Sequence, residues 1–274
     1  YLDSIPPVVS HSLLGDQYRK NKDLFVSDRT TAELSATDNK AGVKSIRYFL
    51  NSKSGEIYSS PFAFPKKNGK LSYSYSANDN VLNKSKAVQK TVIVDISSPK
   101  ITPSFKGEHY FSRKTHYIRL STMITLPTTD NLSGVKSVAY TLNADSEVSY
   151  QKPFAIKTEG EHSLAYTASD NVNNIINESI KLYVDEKAPE IYHHFGVNPT
   201  VPAEDTYPLK SLLYLAATDK QSGIRNIYYS INGNNEIKYV KPLSFNNRMA
   251  YTIKIRAIDN VGNVSTSSIG FKIK

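Results

Sequence analysis

The stretch ATDNKAGVKSIRYFLN at residues 36–51 is repeated twice further along the chain. It returns as TTDNLSGVKSVAYTLN at residues 128–143 and as ATDKQSGIRNIYYSIN at residues 217–232. Each copy has an Asp at its third position and a Gly four residues later. The copies follow one another at about 90 residues, which is the length of a small domain. The repeat therefore predicts three domains, at residues 1–95, 96–185 and 186–274.

The repeated pattern extends on both sides of this stretch. In every copy a Tyr lies three residues before a Pro, a second Asp follows the first after 40 or 41 residues, and another Asp precedes a Pro by four residues at the start. The Tyr positions are Tyr58, Tyr150 and Tyr239. Because the first copy begins with the signature that joins copies elsewhere, we expect the chain to continue upstream.

Strand signals dominate each copy. β-branched and aromatic residues alternate with polar ones, and clusters of Gly, Pro, Asn and Asp interrupt them at intervals of about 8 to 12 residues. About seven short strands in about 90 residues are the pattern of an immunoglobulin-like sandwich. The predicted fold class is all-β, with three tandem immunoglobulin-like β-sandwich domains in an elongated row. A closed barrel is the alternative.

Four strands in each copy supply the predicted core, because their apolar residues recur at every second position. The strand before the first Asp contributes Leu34 and Ala36, Leu126 and Thr128, and Leu215 and Ala217. The strand after the Gly contributes Ile46, Tyr48 and Leu50, Val138, Tyr140 and Leu142, and Ile227, Tyr229 and Ile231. The strand before the second Asp contributes Tyr73, Tyr75 and Ala77, Leu164, Tyr166 and Ala168, and Ile253, Ile255 and Ala257. The last strand contributes Val88, Val92 and Val94, Ile180, Leu182 and Val184, and Ile269, Phe271 and Ile273.

Composition limits the possible functions. The chain has 274 residues and no Cys, which excludes disulfides, zinc–thiolate sites and cysteine nucleophiles. No run of about 18 apolar residues predicts a membrane-spanning helix. We find no nucleophile elbow, zinc-binding HExxH or phosphate-binding glycine loop, and no His recurs between copies. Three equivalent catalytic sites in one enzyme would be unusual, so we expect the chain not to be an enzyme, and we expect no nucleic-acid partner.

The net charge of +9 lies mainly in the outer copies. Residues 1–95 hold 14 Lys and Arg against 9 Asp and Glu, and residues 96–185 hold 9 against 9. The densest basic cluster is Lys66, Lys67 and Lys70. A polyanion could bind there in a salt-dependent manner, but a solvated loop is the interpretation we favour.

Nine recurrent aspartates are the candidate site residues. In the predicted topology, three of them share one end of each domain: Asp3, Asp38 and Asp79, then Asp95, Asp130 and Asp170, then Asp185, Asp219 and Asp259. The favoured interpretation is that each Asp accepts hydrogen bonds from the backbone of its own turn, so that no cofactor is needed. The alternative is a calcium site built from carboxylate oxygens, which requires the loops to fold over the end of the domain.

The combination of DNxSGV, a Tyr shortly before Pro-Phe, ASDNVxN and VDxxxP resembles the bacterial immunoglobulin-like repeats of cell-surface and secreted proteins. One group of these repeats is catalogued as an outer-membrane β-barrel repeat. The third copy departs from the motif, with Lys220 in place of Asn39 and Asn131 and Leu243 in place of Phe62 and Phe154. The resemblance implies an exported protein, extracellular or at the cell surface.

Two functions remain open at this point. The first is a structural or adhesive stalk that presents or spaces a functional region and contacts other repeats of the same chain. The second is an accessory module for a polysaccharide or envelope polymer, attached to an enzyme. A host or prey surface protein and an anionic envelope polysaccharide are the candidate partners. We expect recognition to lie in the segments that the copies do not share, which are residues 8–24, Asn173 to Glu178 and residues 192–210.

Overall fold

The computed structural model describes residues 2–51 and 54–274, and these are mostly β-strands with one 3₁₀ turn, Pro202–Glu204. Repeat 1 contains β1 (Val8–Leu14), β2 (Gln17–Lys20), β3 (Asp23–Val26), β4 (Thr31–Thr37), β5 (Val43–Leu50), β6 (Glu56–Ile57), β7 (Phe62–Ala63), β8 (Gly69–Asp79) and β9 (Val88–Val94). Repeat 2 contains β10 (Lys100–Ile101), β11 (Ser104–Lys106), β12 (His109–Ser112), β13 (Thr115–Ile118), β14 (Met123–Thr125), β15 (Thr128–Thr129), β16 (Val135–Leu142), β17 (Val148–Ser149), β18 (Gly160–Asp170) and β19 (Ile175–Val184). Repeat 3 contains β20 (Glu190–Phe195), β21 (Thr206–Tyr207), β22 (Leu212–Thr218), β23 (Ile224–Ile231), β24 (Ile237–Lys238), β25 (Leu243–Ser244), β26 (Ala250–Asp259) and β27 (Val264–Ile273).

Each repeat has a large sheet and a smaller set of strands. The large sheets have the orders β2-β3-β9-β8-β5-β6, β12-β13-β19-β18-β16-β17 and β21-β27-β26-β23-β24. The smaller sheets are β1-β4-β7 in repeat 1, β10-β15 and β11-β14 in repeat 2, and β20-β22-β25 in repeat 3. Among the described residues no sheet closes on itself, so the closed-barrel alternative is wrong and the tandem β-sandwich prediction is confirmed.

The core of each repeat is a separate hydrophobic cluster, and the predicted inward residues form it. All nine inward positions of β8, β18 and β26 are at most 5% exposed. Leu34, Leu126 and Leu215 are equally buried, whereas Ala36, Thr128 and Ala217 are half-buried. The alternation of apolar and polar residues therefore identified the core faces correctly.

The Phe of the Pro-Phe motif stacks on the central Tyr of the strand after the Gly. Tyr48 lies parallel to Phe62 with ring centroids 4.2 Å apart, and Tyr140 lies parallel to Phe154 at 4.0 Å. Such pairs stabilise a core beyond their buried area. In repeat 3 the Phe is replaced by Leu243, which is buried in the core cluster. This replacement explains why the motif departs there without loss of the fold.

The chain enters and leaves each repeat at opposite ends. The side chain of Asp3 meets the loops after β4 and β8, and we call this end of the domain the upper pole. The last strand, β9, runs parallel to β3, and the backbone N–H of Asp95 donates to the carbonyl of Val26 at 2.8 Å at the other end, the lower pole. The same parallel pairing recurs between β13 and β19 and between β21 and β27.

Candidate site at the upper poles

Each upper pole brings its three predicted aspartates together. One carboxylate oxygen from each of the three lies within 4.8 Å of the others in all three repeats. The loops therefore fold over the end of the sandwich, as the calcium alternative requires. The linker aspartates, Asp95 and Asp185, follow the last strand of one repeat but lie in the cluster of the next.

The first Asp of each cluster organises the loop after the β4-type strand. Asp130 Oδ1 accepts hydrogen bonds from the backbone N–H of Leu132 at 3.1 Å and of Gly134 at 2.7 Å. Asp38 and Asp219 accept the equivalent bonds in their own loops. This is the Asx-turn chemistry that we favoured from the sequence, and its hydrogen bonds are confirmed.

The second Asp organises the loop after the long strand. Asp170 Oδ1 accepts from the backbone N–H groups of Val172 at 2.9 Å and Asn174 at 2.8 Å, and Asp170 Oδ2 accepts from Asn174 Nδ2 at 2.7 Å. Asn174 Nδ2 also donates to the carbonyl of Asp95 at 3.0 Å. Asn83 and Asn263 do the same in the other repeats. This Asn is the last residue of the ASDNVxN motif, but the sequence pattern alone did not predict that it binds the linker carbonyl.

The linker aspartates also bind the first loop of the following repeat. Asp95 Oδ2 accepts from the backbone N–H of Ser133 at 3.0 Å, and Asp185 Oδ2 accepts from that of Ser222 at 3.1 Å. Each linker is therefore bound through its carbonyl and its carboxylate to both loops of the following repeat. The repeated aspartates thus have a structural role, because they fix where one repeat is attached to the next.

The carboxylates of these clusters have no direct basic partner, although Arg119, which is paired with Glu186, lies near enough to Asp259 to interact electrostatically. Among the described residues none of the nine aspartates forms a salt bridge, and the side chains of the linker and second aspartates in repeats 2 and 3 are fully buried. Burial, together with the nearby Asp95 carboxylate, raises the pKa of Asp170 above its ordinary value. Burial and the nearby Asp185 raise the pKa of Asp259 in the same way. A proton or a cation would relieve this repulsion.

The carboxylate oxygens of each cluster are suitable ligands for a hard cation. Calcium takes carboxylate and carbonyl oxygens at about 2.3 to 2.6 Å, so two ligands on opposite sides of the ion lie up to about 5 Å apart. The 4.8 Å limit within each cluster meets this requirement. In repeat 1 the buried Oδ2 of Asp38 has no hydrogen-bond donor among the described residues. An acceptor in that state is available to a cation.

Side chains outside the clusters also join the repeats. Arg29 Nη2 donates to the carbonyl of Val172 at 2.7 Å, and Asn173 Nδ2 donates to Asp16 Oδ1 at 2.7 Å. At the second junction Arg225 pairs with Glu108 at 3.0 Å. These contacts join residues more than 100 positions apart, and no sequence pattern predicted them.

The remaining predicted features lie apart from the poles. Lys66 of the basic cluster is 83% exposed at its side chain and lies 3.6 Å from Asp28. Among the described residues, no helix has the length and apolar composition needed to cross a bilayer.

Comparison with known proteins identified solved structures but no family. No protein-family model matches the chain, and no curated protein matches it. A structure of a 1.5-MDa bacterial ice-binding adhesin is similar over 99% of both chains, with 8% identity and a TM-score of 0.36. A tetra-tandem repeat from the extending region of a large adhesion protein matches 91% of this chain and 74% of its own, with 15% identity and a TM-score of 0.31. Fibronectin(III)-like modules of Clostridium thermocellum CbhA match 65% of this chain and 94% of theirs, with 13% identity and a TM-score of 0.33.

Proposed function

We propose that this chain is a non-catalytic stalk segment of a bacterial surface or secreted protein, in which immunoglobulin-like repeats space or present a functional region. The motifs that resemble bacterial surface repeats support this proposal. The observation that carries it is the linker attachment, because the same Asp and Asn contacts join repeat 1 to repeat 2 and repeat 2 to repeat 3. A segment that repeats its own junction is suited to setting a length, and adhesion is the use that best fits such a segment.

Small-angle scattering tests the stalk. Strands of about ten residues at about 3.3 Å per residue give a domain roughly 35 to 40 Å long, so three in a row exceed about 100 Å. We expect a maximum dimension above that value for the 274-residue chain. A compact particle with a maximum dimension near about 60 Å would contradict the proposal.

We also propose that each upper pole binds a calcium ion, which would stabilise the stalk and stiffen its linkers. The support is the close approach of three carboxylates without a basic partner and the unpaired oxygen of Asp38. The hydrogen bonds described above are compatible with this role, since a carboxylate oxygen has two lone pairs. In repeat 2 the ion would be held by Asp95, Asp130 and Asp170, where it would neutralise their charge.

Thermal unfolding with excess calcium and with chelator tests the ion. Binding to the folded state alone stabilises it by about 2.7 kcal/mol at a calcium concentration of 100 times Kd. We expect a higher Tm in calcium and a stoichiometry of three ions by isothermal titration calorimetry. Equal Tm values in both solutions would contradict the proposal.

The variant Asp130→Asn tests the calcium site without disturbing the turn. Only Oδ1 of Asp130 accepts backbone hydrogen bonds, so an Asn keeps the turn while it removes one charge from the cluster. We expect this variant to lose the calcium response of repeat 2 and to be at least as stable as the wild type in chelator. Asp170→Ala should also abolish that response, with an added loss of stability in both solutions because it leaves the backbone N–H groups of Val172 and Asn174 unpaired. Glu147→Gln on the exposed surface is the matched control and should behave as the wild type.

A further inference from the structure

Three tyrosines form a row on the outer face of the large sheet of repeat 2. Tyr110 lies opposite Tyr117 in the strand register, and Tyr117 lies opposite Tyr183. Their ring centroids are 6.2 Å and 5.9 Å apart. Directly opposed residues point to the same side of a sheet, and the alternate residues Ile118 and Leu182 are in the core. The tyrosines therefore face away from the core, and each is half-buried.

Unpaired polar groups surround this row. Glu161 lies opposite Tyr183 on the next strand. A second row of paired residues, Thr115, Lys181 and Ser163, lies beside the tyrosine row on the same face. These four residues, together with Tyr117 and Tyr183, line a cleft of about 360 Å³. Among the described residues, the three phenol hydroxyls and the charged groups of Lys181 and Glu161 have no hydrogen-bond or salt-bridge partner in the protein. They are free to bind a ligand.

The cleft continues across the junction to repeat 3. A second cleft of about 320 Å³ shares Tyr117 with the first and is also lined by Tyr110, and its other wall is the loop at residues 219–224 of repeat 3. The ion pair between Glu108 and Arg225 holds the two repeats together beside it. The two clefts therefore form one extended groove with the tyrosines along it, and such a groove fits a polymer better than a small molecule.

The hairpin at the edge of the groove has an unusual turn. Arg113 and Lys114 both have left-handed backbone conformations, with φ of 49° and 65°. A two-residue turn of this kind favours Asn-Gly, because side chains with a Cβ atom are strained there. The turn therefore places Arg113 in the lining of the second cleft against the local conformational preference. Strain of this type concentrates at functional sites.

The other repeats do not have this row. At the equivalent positions of repeat 1, Phe25 lies between Tyr18 and Ile93 in the register and is only 6% exposed. In repeat 3, Lys272 is paired with Thr206 and Ala250. A feature needed only for the fold would recur, as the core and the poles do. The tyrosine row is therefore specific to repeat 2.

We propose that this groove binds an acidic polysaccharide. Tyr side chains offer flat apolar faces with a polar tip, which suit the faces of pyranose rings, and Lys181, Arg113 and Lys220 along the groove suit the carboxylates of uronic acids. Glu161 and Asp219 also line it, but Oδ1 of Asp219 accepts bonds from its own loop. Single-stranded nucleic acid is the other linear polyanion with one charge per monomer, and the test below compares it directly with the polysaccharide.

Binding of the whole chain to alginate oligomers tests this assignment, with dextran as the neutral polymer and a 20-nucleotide oligo-dT as the polyphosphate. We expect alginate to bind at moderate salt, dextran to bind at least tenfold more weakly, and Tyr117→Ala to weaken alginate binding at least tenfold. Arg113→Gly should weaken binding several-fold without lowering the Tm, since glycine relieves the strained turn. This variant separates a loss of binding from a loss of folding. Tyr18→Ala in the matching hairpin of repeat 1 is the control and should bind as the wild type.

Three results would overturn the proposal. These are no alginate binding by the wild-type chain, equal binding by the wild type and Tyr117→Ala, and tighter binding of oligo-dT than of alginate. None of them affects the stalk proposal, because the length of the particle is measured independently by scattering.

Discussion

Two tyrosines on β8 differ in how their hydroxyl groups are satisfied. Both rings are in the core, with exposures of 1% for Tyr73 and 2% for Tyr75. The hydroxyl of Tyr75 lies 3.1 Å from Nδ1 of His11, whereas the hydroxyl of Tyr73 is buried with no partner among the described residues. Burial raises the pKa of Tyr73 to about 12. A buried polar group without a partner costs stability.

We therefore expect Tyr73→Phe to stabilise repeat 1 by about 1 kcal/mol, because it removes an unpaired hydroxyl and keeps the ring. Tyr75→Phe is the matched control and should destabilise by a similar amount, since it removes a hydrogen bond from His11. Urea denaturation of the two variants measures the difference. A loss of stability in both would mean that the Tyr73 hydroxyl is solvated in solution.

The loops at the poles depend on a Gly in a conformation that other residues adopt at a cost. Gly134 has a φ of 86°, its carbonyl accepts hydrogen bonds from the backbone and side chain of Asn171, and Gly42 and Gly223 are equivalent. An added Cβ would lie 3.5 Å from Asn171 Nδ2, which is an ordinary contact. The requirement for Gly therefore comes from the backbone conformation and not from lack of space.

Gly134→Ala should destabilise repeat 2 by about 1 to 2 kcal/mol, which is the cost of the left-handed conformation for a residue with a side chain. The control is Gly270→Ala, because Gly270 lies in an extended strand where the new methyl group meets nothing closer than 3.9 Å. Its effect should stay within about 0.5 kcal/mol. Equal effects of the two changes, measured by thermal unfolding, would show that the loop tolerates side chains.

Strands whose sequence recurs in all three repeats could be predicted, whereas strands whose sequence occurs once could not. The strands β4, β5, β8 and β9 and their equivalents were predicted from the alternation that three copies share, except in repeat 2, where the strand before the first Asp is divided into β14 and β15 and Leu126 lies between them. The hairpins β2-β3 and β12-β13 were not predicted, since residues 8–24 match nothing else in the chain and the turn at Arg113 and Lys114 has no turn-forming residue type. The meeting of the aspartates was predicted from topology. The buried Asn174 and the tyrosine row were not, because both depend on register between distant strands.

At the scale of the whole molecule, the two junctions share a linker but differ in their side contacts. The first uses Arg29, which contacts the carbonyl of Val172 and Oδ1 of Asn174 and pairs with Asp16 of its own repeat. The second uses Arg225, which reaches in the opposite direction to Glu108. The linker chemistry is thus common to both junctions, and the side contacts are individual.

Arg29→Ala should weaken the coupling between repeats 1 and 2 by about 1 kcal/mol, because two hydrogen bonds from the guanidinium group to the next repeat are lost. In a chain of repeats, stability includes such interface energies, so we expect a broader unfolding transition by calorimetry. Lys66→Ala is the matched control at an exposed ion pair and should change nothing measurable. An unchanged transition in Arg29→Ala would mean that the linker contacts alone couple the repeats.

The parallel pairing of the last strand has a mechanical consequence. When the two ends of the chain are pulled apart, tension draws β1 upwards against β4 and β9 downwards against β3 and β8. Because the hydrogen bonds of a ladder lie across the strands, this force loads many of them at once in shear instead of unzipping them one by one. The last strand is held on both sides, antiparallel to β8 and parallel to β3, and the same holds for β19 and β27. Each repeat thus resists extension along the line that joins its two ends.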